Sequence, residues 1–132
     1  GNTATATFTV TITCTGGCNP PPPPTGMNFN IEALAGNGNY GSSGNGGAPT
    51  AATFKRLSGI AANSSGDVFI ADAEARVIRK VSGNTITLLA GTGAKGFAGD
   101  GGSAAAARFN NPTGLALHAG SNSLYVADTG NH

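Results

Sequence analysis

Charged side chains are scarce in this sequence. It has 7 Lys and Arg residues and 6 Asp and Glu residues among 132, which is 10% of the chain, and its formal net charge is +1. About a quarter of the residues are charged in an ordinary domain. Nucleic-acid-binding domains usually carry a clustered basic surface, so this composition predicts no nucleic-acid partner. Tryptophan is absent, and any core must therefore be built from aliphatic residues and six Phe.

Long apolar runs and cysteine are also scarce. No segment approaches the roughly 20 apolar residues of a membrane-spanning helix, so no membrane span is predicted. No secretory signal is present, and the chain is expected to be a piece of a longer protein. Cys14 and Cys18 bracket two glycines. A disulfide between them would indicate an oxidising compartment, whereas two free thiols, or bonds to other partners, are the alternative.

Threonine and proline divide the first part of the chain. From Thr3 to Cys14, Thr alternates with Ala, Phe, Val, Ile and Cys, which is the period-two pattern of a half-buried strand. Five consecutive prolines follow, and such a run forms a stiff polyproline II segment. A spacer between domains is expected here, with a ligand for an SH3-like groove as the alternative. The predicted domains are 1–18, 19–26 and 27–132, and the linker prolines are Pro20, Pro21, Pro22, Pro23 and Pro24.

The rest of the chain repeats itself at an offset of 55 residues. "LAGNGNYGSSGNGGAPTAATF" at residues 34–54 aligns with "LAGTGAKGFAGDGGSAAAARF" at residues 89–109, and six glycines coincide. After a one-residue insertion, "VFIAD" at 68–72 aligns with "LYVAD" at 124–128. A period of this length predicts an array in which each unit buries its apolar face against its neighbours.

One period contains four short β-type segments separated by turns. Four antiparallel strands per repeat are typical of a propeller blade, so the predicted fold is all-β, a partial β-propeller. Residues 28–35 are expected to form the outermost strand of a preceding blade, and Ser103–Ala107 a single helical turn. The four strands are predicted at Gly59–Ala62, Val68–Ala71, Arg76–Ser82 and Thr85–Ala90.

These segments carry a family resemblance. "FNNPTGLALHAGSNSLYVADTGNH" at residues 109–132 resembles the NHL repeat, and "GTGAKGFAGDGG" resembles the long loop between blades of one NHL subgroup. The resemblance extends over about residues 28–132 and implies an NHL-type propeller. The first repeat departs from the pattern at 73–76, where "AEAR" replaces "TGNH". Residues 1–14 are similar to the closing strand of an immunoglobulin-like or hyalin-repeat module. The residues that match the NHL pattern are Pro112, Gly114, Tyr125, Asp128, Gly130, Asn131 and His132.

Few residues are candidates for chemistry. Asp72 and Asp128 recur at the same strand end, and with Asn131 and His132 they are expected to hold turns. Two Gly-x-Gly-x-x-Gly matches lack the helix that dinucleotide binding needs, so no cofactor is expected. Asp100 alone offers too few oxygen ligands for calcium. No catalytic or metal-binding residues are predicted.

Two surface features complete the set of candidates. Asn63 begins the sequence Asn-Ser-Ser in a predicted turn and is a candidate for N-glycosylation. Arg76, Arg79 and Lys80 form the one basic cluster, which is expected to keep an exposed edge strand soluble. An RNA-binding face, known in certain animal NHL propellers, is the alternative.

The composition and the repeat favour a non-enzymatic extracellular structural or adhesive protein of a cell surface or filament. Its partners are expected to be proteins, bound in part by strand addition through residues 3–14, and glycans are further candidates. Because some NHL propellers are lyases with an axial metal, one alternative is a metal-dependent lyase or hydrolase whose site lies on other blades. The other is an intracellular propeller that binds protein or RNA.

Overall fold

The structure, a computed structural model, describes residues 32–132. It is all-β, as predicted, with two antiparallel sheets and two single 3₁₀ turns at Pro49–Ala51 and Ala104–Ala106. The N-terminal strand, the Cys14–Cys18 pair and the prolines at 20–24 lie outside the described residues. None of the helices between residues 32 and 132 is long and apolar enough to cross a membrane. The strands are β1 (Leu57–Ala62), β2 (Val68–Asp72), β3 (Val77–Ser82), β4 (Thr85–Ala90), β5 (Pro112–His118) and β6 (Ser123–Asp128).

The first sheet is a meander in the order β1-β2-β3-β4. All four predicted strands are confirmed. The third strand begins one residue later than predicted, because Arg76 has a φ of 59° and belongs to the preceding turn.

A strand was predicted at residues 28–35. For residues 32–35, the part that the structure describes, this prediction is wrong because these residues form no strand. Leu34 and Ala35 instead bend onto the first sheet and pack against its core. The next residue, Gly36, has a φ of 97° and donates its N–H to Pro49 O at 2.9 Å. The chain at this point therefore pairs with the following loop and not with a sheet.

The second sheet consists of β5 and β6 and repeats the geometry of β1 and β2. Gly59 pairs with Ala71 in the first sheet, and Gly114 pairs with Ala127 in the second. The register shifts just before each of these glycines, between Leu57 and Gly59 and between Pro112 and Gly114. The 55-residue period thus encodes the same irregularity of the backbone twice.

Two apolar clusters lie on opposite faces of the first sheet. The first cluster separates this sheet from residues 34–54, and the second separates it from the second sheet and Phe109. The first sheet is therefore covered on both faces, as the repeat pattern predicts. The first cluster contains Ala52, Val68, Ile70, Val81 and Ile86, with Leu34, Ala35, Phe54 and Leu57 beside it. The second contains Ala71, Ile78 and Ala90, with Leu89, Phe109, Leu115, Leu124 and Val126 beside it.

The first strands of the two sheets, β1 and β5, approach each other closely at Gly59. A Cβ atom at this position would lie 2.7 Å from Thr113 O. The neighbouring Ser58 hydroxyl donates to Pro112 O at 2.7 Å, and its oxygen lies 3.2 Å from Ala71 O. This contact between backbones leaves no room for a side chain at residue 59.

We predict that Gly59→Ala lowers the free energy of unfolding by about 1–3 kcal/mol, because β1 must move away from β5. Gly114→Ala is the matched control at the same place in the next repeat, where a Cβ would meet only the Ala127 Cβ at 3.3 Å. The control should remain within about 1 kcal/mol of the parent chain. Chemical denaturation of both variants measures the difference, and equal losses would contradict the prediction.

Candidate functional site

The long glycine-rich segment at residues 36–54, here called the first loop, is attached to the first sheet by its backbone. Gly46 N–H donates to Ile86 O at 2.7 Å, and Ile86 N–H donates to Gly47 O at 3.0 Å. The loop therefore continues the hydrogen bonding of β4 at its free edge. The second loop, residues 91–109, repeats the internal hydrogen bonds of the first: Gly91 N–H donates to Ala104 O at 3.0 Å, as Gly36 N–H donates to Pro49 O at 2.9 Å.

Arg79 connects the first loop to the centre of the first sheet. Its side chain is 1% exposed. The guanidinium donates from Nε to Asn45 Oδ1 at 3.0 Å, from Nη1 to Thr53 O at 2.9 Å and from Nη2 to Ser43 O at 2.8 Å. Its Cζ atom lies 4.9 Å from the centre of the Phe54 ring. Burial lowers the pKa of Arg79, and the nearby Asp72 carboxylate opposes that shift.

The expectation that Arg76, Arg79 and Lys80 protect an edge strand is wrong. Strand β3 lies between β2 and β4 in the interior of the sheet, and Arg76 precedes it in a turn. Arg79 shares a sheet face with Val77 and Val81 because side chains alternate along a strand. That alternation was the sequence signal for its burial, although its partners in the first loop were not evident from the sequence.

Lys80 points away from Arg79 and belongs to a small polar cluster around Asp67. Its Nζ atom lies 2.8 Å from Asp67 Oδ2, and the Ser82 hydroxyl donates to Asp67 Oδ1 at 2.5 Å. Asn63 Nδ2 donates to Asp67 Oδ2 at 3.1 Å. These hydrogen bonds, that from Lys80 foremost, lower the pKa of Asp67 to about 2.

Asn63, the glycosylation candidate, holds the turn between β1 and β2. Its Oδ1 accepts the N–H groups of Ser65 at 3.1 Å and Asp67 at 2.8 Å. The Nδ2 atom, to which a glycan would be attached, is the donor to Asp67 described above. Glycosylation at Asn63 stays a prediction, and it would have to preserve this hydrogen bond.

Asp72, at the end of β2, is fully buried and accepts backbone hydrogen bonds. Its Oδ2 accepts Lys55 N–H at 2.8 Å, and its Oδ1 accepts Arg56 N–H at 2.9 Å and Ala75 N–H at 3.0 Å. The carboxylate thus joins the chain entering β1 to the turn after β2. The "AEAR" turn has no Gly or Asn, and Asp72 provides the hydrogen bond that closes it.

Asp128 has the same role at the end of β6. Both of its oxygens lie 2.9 Å from Asn110 N, and Oδ2 accepts Asn131 Nδ2 at 2.6 Å. Asn131 Nδ2 also donates to Gly96 O at 2.7 Å. His132 has a φ of 64°, as Arg76 has 59° at the equivalent place. Within residues 32–132, no hydrogen bond to the His132 side chain is present.

An open depression of about 310 Å³ lies where the turn after β2 meets the chain entering β5. Its charged groups are engaged with the protein. Arg56 Nη2 donates to Asn111 Oδ1, Arg76 Nη1 lies 3.4 Å from Gly93 O, and Glu74 accepts the Tyr40 hydroxyl. That hydrogen bond to Glu74 raises the pKa of Tyr40. The lining residues are Arg56, Ala73, Glu74, Arg76, Asn110 and Asn111.

Asp128 and Asn131 lie in the segment for which a comparison with known protein families found a match. Residues 109–132 match the family model of the NHL repeat. The match covers β5, β6 and the turn that Asp128 closes. A search of curated proteins found no match to the chain. Across the described residues, no three His, Cys, Asp or Glu side chains in either repeat come together in a way that could hold a metal ion.

We predict that Arg79→Met lowers the free energy of unfolding by about 2–4 kcal/mol, because three acceptors lose a charged donor. The free energy of unfolding of Arg79→Lys should lie between those of the parent chain and Arg79→Met. An ammonium keeps the charge but cannot reproduce the planar fork of the guanidinium. Chemical denaturation measures these losses, and limited proteolysis should show earlier cleavage within residues 36–54.

The matched control for Arg79→Met is Lys80→Met, which removes a cation from the adjacent residue. The Lys80 side chain is 31% exposed and pairs only at the surface. Its loss should cost less than about 1 kcal/mol. If the two variants were equally stable, the first loop would not depend on the buried guanidinium.

The lowered pKa of Asp67 predicts that the stability of the protein depends on pH. This pKa of about 2 lies below the value of about 3.9 of an unfolded chain, so the unfolded state takes up the proton first as the pH falls. The stabilisation is therefore complete above about pH 4 and is lost as the pH approaches 2.

Thermal unfolding between pH 5 and pH 2 tests this dependence in the parent chain, in Asp67→Asn and in Lys80→Met. Asp67→Asn should have a shallower decline of Tm than the parent. Lys80→Met should be intermediate, because the Ser82 and Asn63 hydrogen bonds remain. Parallel curves for all three proteins would contradict the assignment.

Proposed function

We propose that this protein is a non-enzymatic extracellular or cell-surface component whose NHL-type propeller blades form a scaffold for contacts with other proteins. In this proposal the first sheet is one complete blade, and β5 and β6 are the first two strands of the next. The family match, at residues 109–132, covers these two strands of the second blade. The protein is a structural or adhesive element of a surface or filament.

One observation carries the proposal: the aspartates that recur between the repeats, and the buried Arg79 of the first repeat, are hydrogen-bonded to the protein itself. Asp72 accepts three backbone N–H groups, and Asp128 accepts the N–H of Asn110. Arg79 is committed to two carbonyls and one amide oxygen of the first loop. Because these carboxylates and this guanidinium are hydrogen-bonded within the protein, they favour a scaffold function over a catalytic one.

The packing of the sheets supports the interpretation as blades. The face of the first sheet that carries Ala71, Ile78 and Ala90 is covered by Leu115, Leu124 and Val126 of the second. Units that each cover the next form extended arrays with broad surfaces, and such arrays are well suited to binding proteins. Residues 109–132 match the NHL repeat, and repeats of this kind often mediate protein interactions.

The extracellular location rests on the sequence. The chain combines few charges with abundant glycine, a threonine-lined N-terminal segment and a pair of closely spaced cysteines. These features suit a surface protein better than a cytosolic one, because disulfides persist mainly in oxidising compartments. The proposed alternatives are a metal-dependent enzyme with its site on other blades and an intracellular propeller that binds protein or RNA.

Surface labelling distinguishes these functions. Intact source cells are treated with a membrane-impermeant biotin reagent or a protease, and the protein is followed with an antibody. The native protein is then purified without chelators and analysed for bound metal and for co-purifying RNA. A cytosolic protein of the same cells is the control for intactness.

The proposal expects labelling or cleavage on intact cells, with metal and RNA at background. Protection until the cells are lysed would overturn the extracellular assignment. Stoichiometric metal in the native protein would favour the enzyme, and co-purifying RNA would favour the intracellular RNA-binding propeller. Treatment with an N-glycosidase, followed by mass measurement of the peptide that contains Asn63, tests glycosylation separately.

A further inference from the structure

The first loop contains two Asn-Gly pairs with the same immediate neighbours. Asn37 and Asn45 each stand in the sequence Gly-Asn-Gly, and no other asparagine of the chain precedes a glycine. Before glycine, the backbone nitrogen attacks an asparagine amide most readily, because glycine has no Cβ to hinder the approach. The two sites therefore have the same intrinsic reactivity, and a difference between them in the folded protein must come from the structure.

Asn45 is bound to the first sheet in a way that opposes this attack. Gly46 N–H, whose nitrogen would be the nucleophile, donates to Ile86 O at 2.7 Å. The Asn45 Oδ1 atom accepts a hydrogen bond from Arg79 Nε at 3.0 Å. Both the nucleophile and the side-chain amide are thus held by other groups, and the reaction requires the loop to open first.

Asn37 lies at the beginning of the same loop, where the nucleophile is not held. Asn37 and Gly38 are both exposed. Within residues 32–132, Gly38 N–H has no hydrogen-bond partner. Asn37 Oδ1 accepts Asn39 N–H at 3.0 Å, and this hydrogen bond polarises the side-chain amide toward attack. The amides of both asparagines are polarised in this way, so the difference between the sites lies in the nucleophilic nitrogen.

The second loop shows that a neighbouring sheet leaves this position open. Thr92 and Gly93 occupy the places of Asn37 and Gly38. The complete first sheet lies beside them, since Arg76 Nη1 in the turn after β2 is 3.4 Å from Gly93 O. Thr92 is nevertheless exposed, and no group among the described residues accepts Gly93 N–H. The exposure of Asn37 is therefore a property of the loop itself.

We propose that Asn37 is a site of spontaneous deamidation in the folded protein, whereas Asn45 is protected by its contacts with the first sheet. In this reaction Gly38 N loses its proton and bonds to Asn37 Cγ, the Cγ–Nδ2 bond breaks, and ammonia leaves with that proton. Water then opens the cyclic imide at either carbonyl, where its hydroxyl adds, and its proton returns to the nitrogen. The products are aspartate and isoaspartate.

Deamidation changes both the charge and the contacts of the first loop. Asn37 Nδ2 donates to Ala51 O at 3.1 Å, and the carboxylate that replaces the amide has no proton to donate there. The isoaspartate product also adds a methylene group to the backbone between residues 37 and 38. The formal net charge of the chain falls by one, from +1 to 0. We expect the modified loop to separate from residues 51–52 at this end.

The test follows both asparagines in the same chain. The 132-residue protein is aged at mildly alkaline pH, folded in buffer and unfolded in guanidinium chloride. Chymotryptic cleavage after Tyr40 separates Asn37 from Asn45, and mass spectrometry of the two peptides gives the rate at each site. An isoaspartate-specific methyltransferase with a labelled methyl donor detects the isoaspartate product. An unaged sample is the control for changes during digestion.

Three variants of the chain test the cause of the difference. Asn37→Thr introduces the residue that stands at the equivalent position of the second loop and removes the reactive site. Arg79→Met releases the side chain of Asn45, and Lys80→Met is its matched control. Circular dichroism before ageing shows whether each variant is folded. The comparison of the folded and unfolded parent chain requires no variant.

In denaturant, both asparagines should react at similar rates. In the folded chain, Asn37 should react at close to its unfolded rate and Asn45 about tenfold or more slowly, because the loop must first open at Asn45. Arg79→Met should accelerate the reaction at Asn45 and leave that at Asn37 unchanged, whereas Lys80→Met should change neither. Asn37→Thr should remove most of the isoaspartate that the folded chain forms.

Equal rates at the two sites in the folded chain would overturn the proposal, and so would a faster reaction at Asn45. Protection of Asn37 in the folded chain, with both sites reactive in denaturant, would overturn it as well. An unchanged rate at Asn45 in folded Arg79→Met would overturn the protective role given to the guanidinium. The proposal does not depend on the scaffold function, so none of these results affects the surface-labelling experiment.

Discussion

The guanidinium of Arg79 is the interaction on which the arrangement of this repeat depends. The first loop is rich in glycine, and ordering glycine costs more conformational entropy than ordering any other residue. Such a loop has few apolar side chains with which to offset that cost. A single buried cation bound to Ser43 O, Thr53 O and Asn45 holds both ends of the loop's central turn against the sheet. The loop in turn covers Val68, Ile70, Val81 and Ile86.

A second constraint is the aspartate at the end of each second strand. Asp72 and Asp128 accept N–H groups from the chain that enters β1 and β5, respectively. They thereby fix where each sheet begins relative to the turn that follows its second strand. A buried carboxylate is costly unless it is fully hydrogen-bonded, and three backbone N–H groups supply the donors for the fully buried Asp72. In both repeats the aspartate therefore positions the protein's own backbone. This is the basis of the proposed scaffold function.

Much of the fold could be predicted because the pattern is local and appears twice. Alternating apolar residues and Gly or Asn turns identified β1 to β4, and the 55-residue offset identified the equivalence of the two loops. The helical turn expected at Ser103–Ala107 is present as a 3₁₀ turn at Ala104–Ala106. Residues 32–35 were assigned to a strand because they resemble β4, but Gly36 turns the backbone toward Pro49. Local similarity could not show which backbone groups would be their partners.

The period, the strands and the recurrence of Asp72 and Asp128 follow from the amino-acid sequence, because each depends on residues that are neighbours along the chain. The roles of the charged residues depend instead on how the chain folds. Arg76, Arg79 and Lys80 lie within five positions, yet one belongs to a turn, one is buried under a loop and one pairs with Asp67 at the surface. Their roles are set by groups 13 to 36 residues away, such as Asp67 and Ser43, and only folding brings those groups within hydrogen-bonding distance.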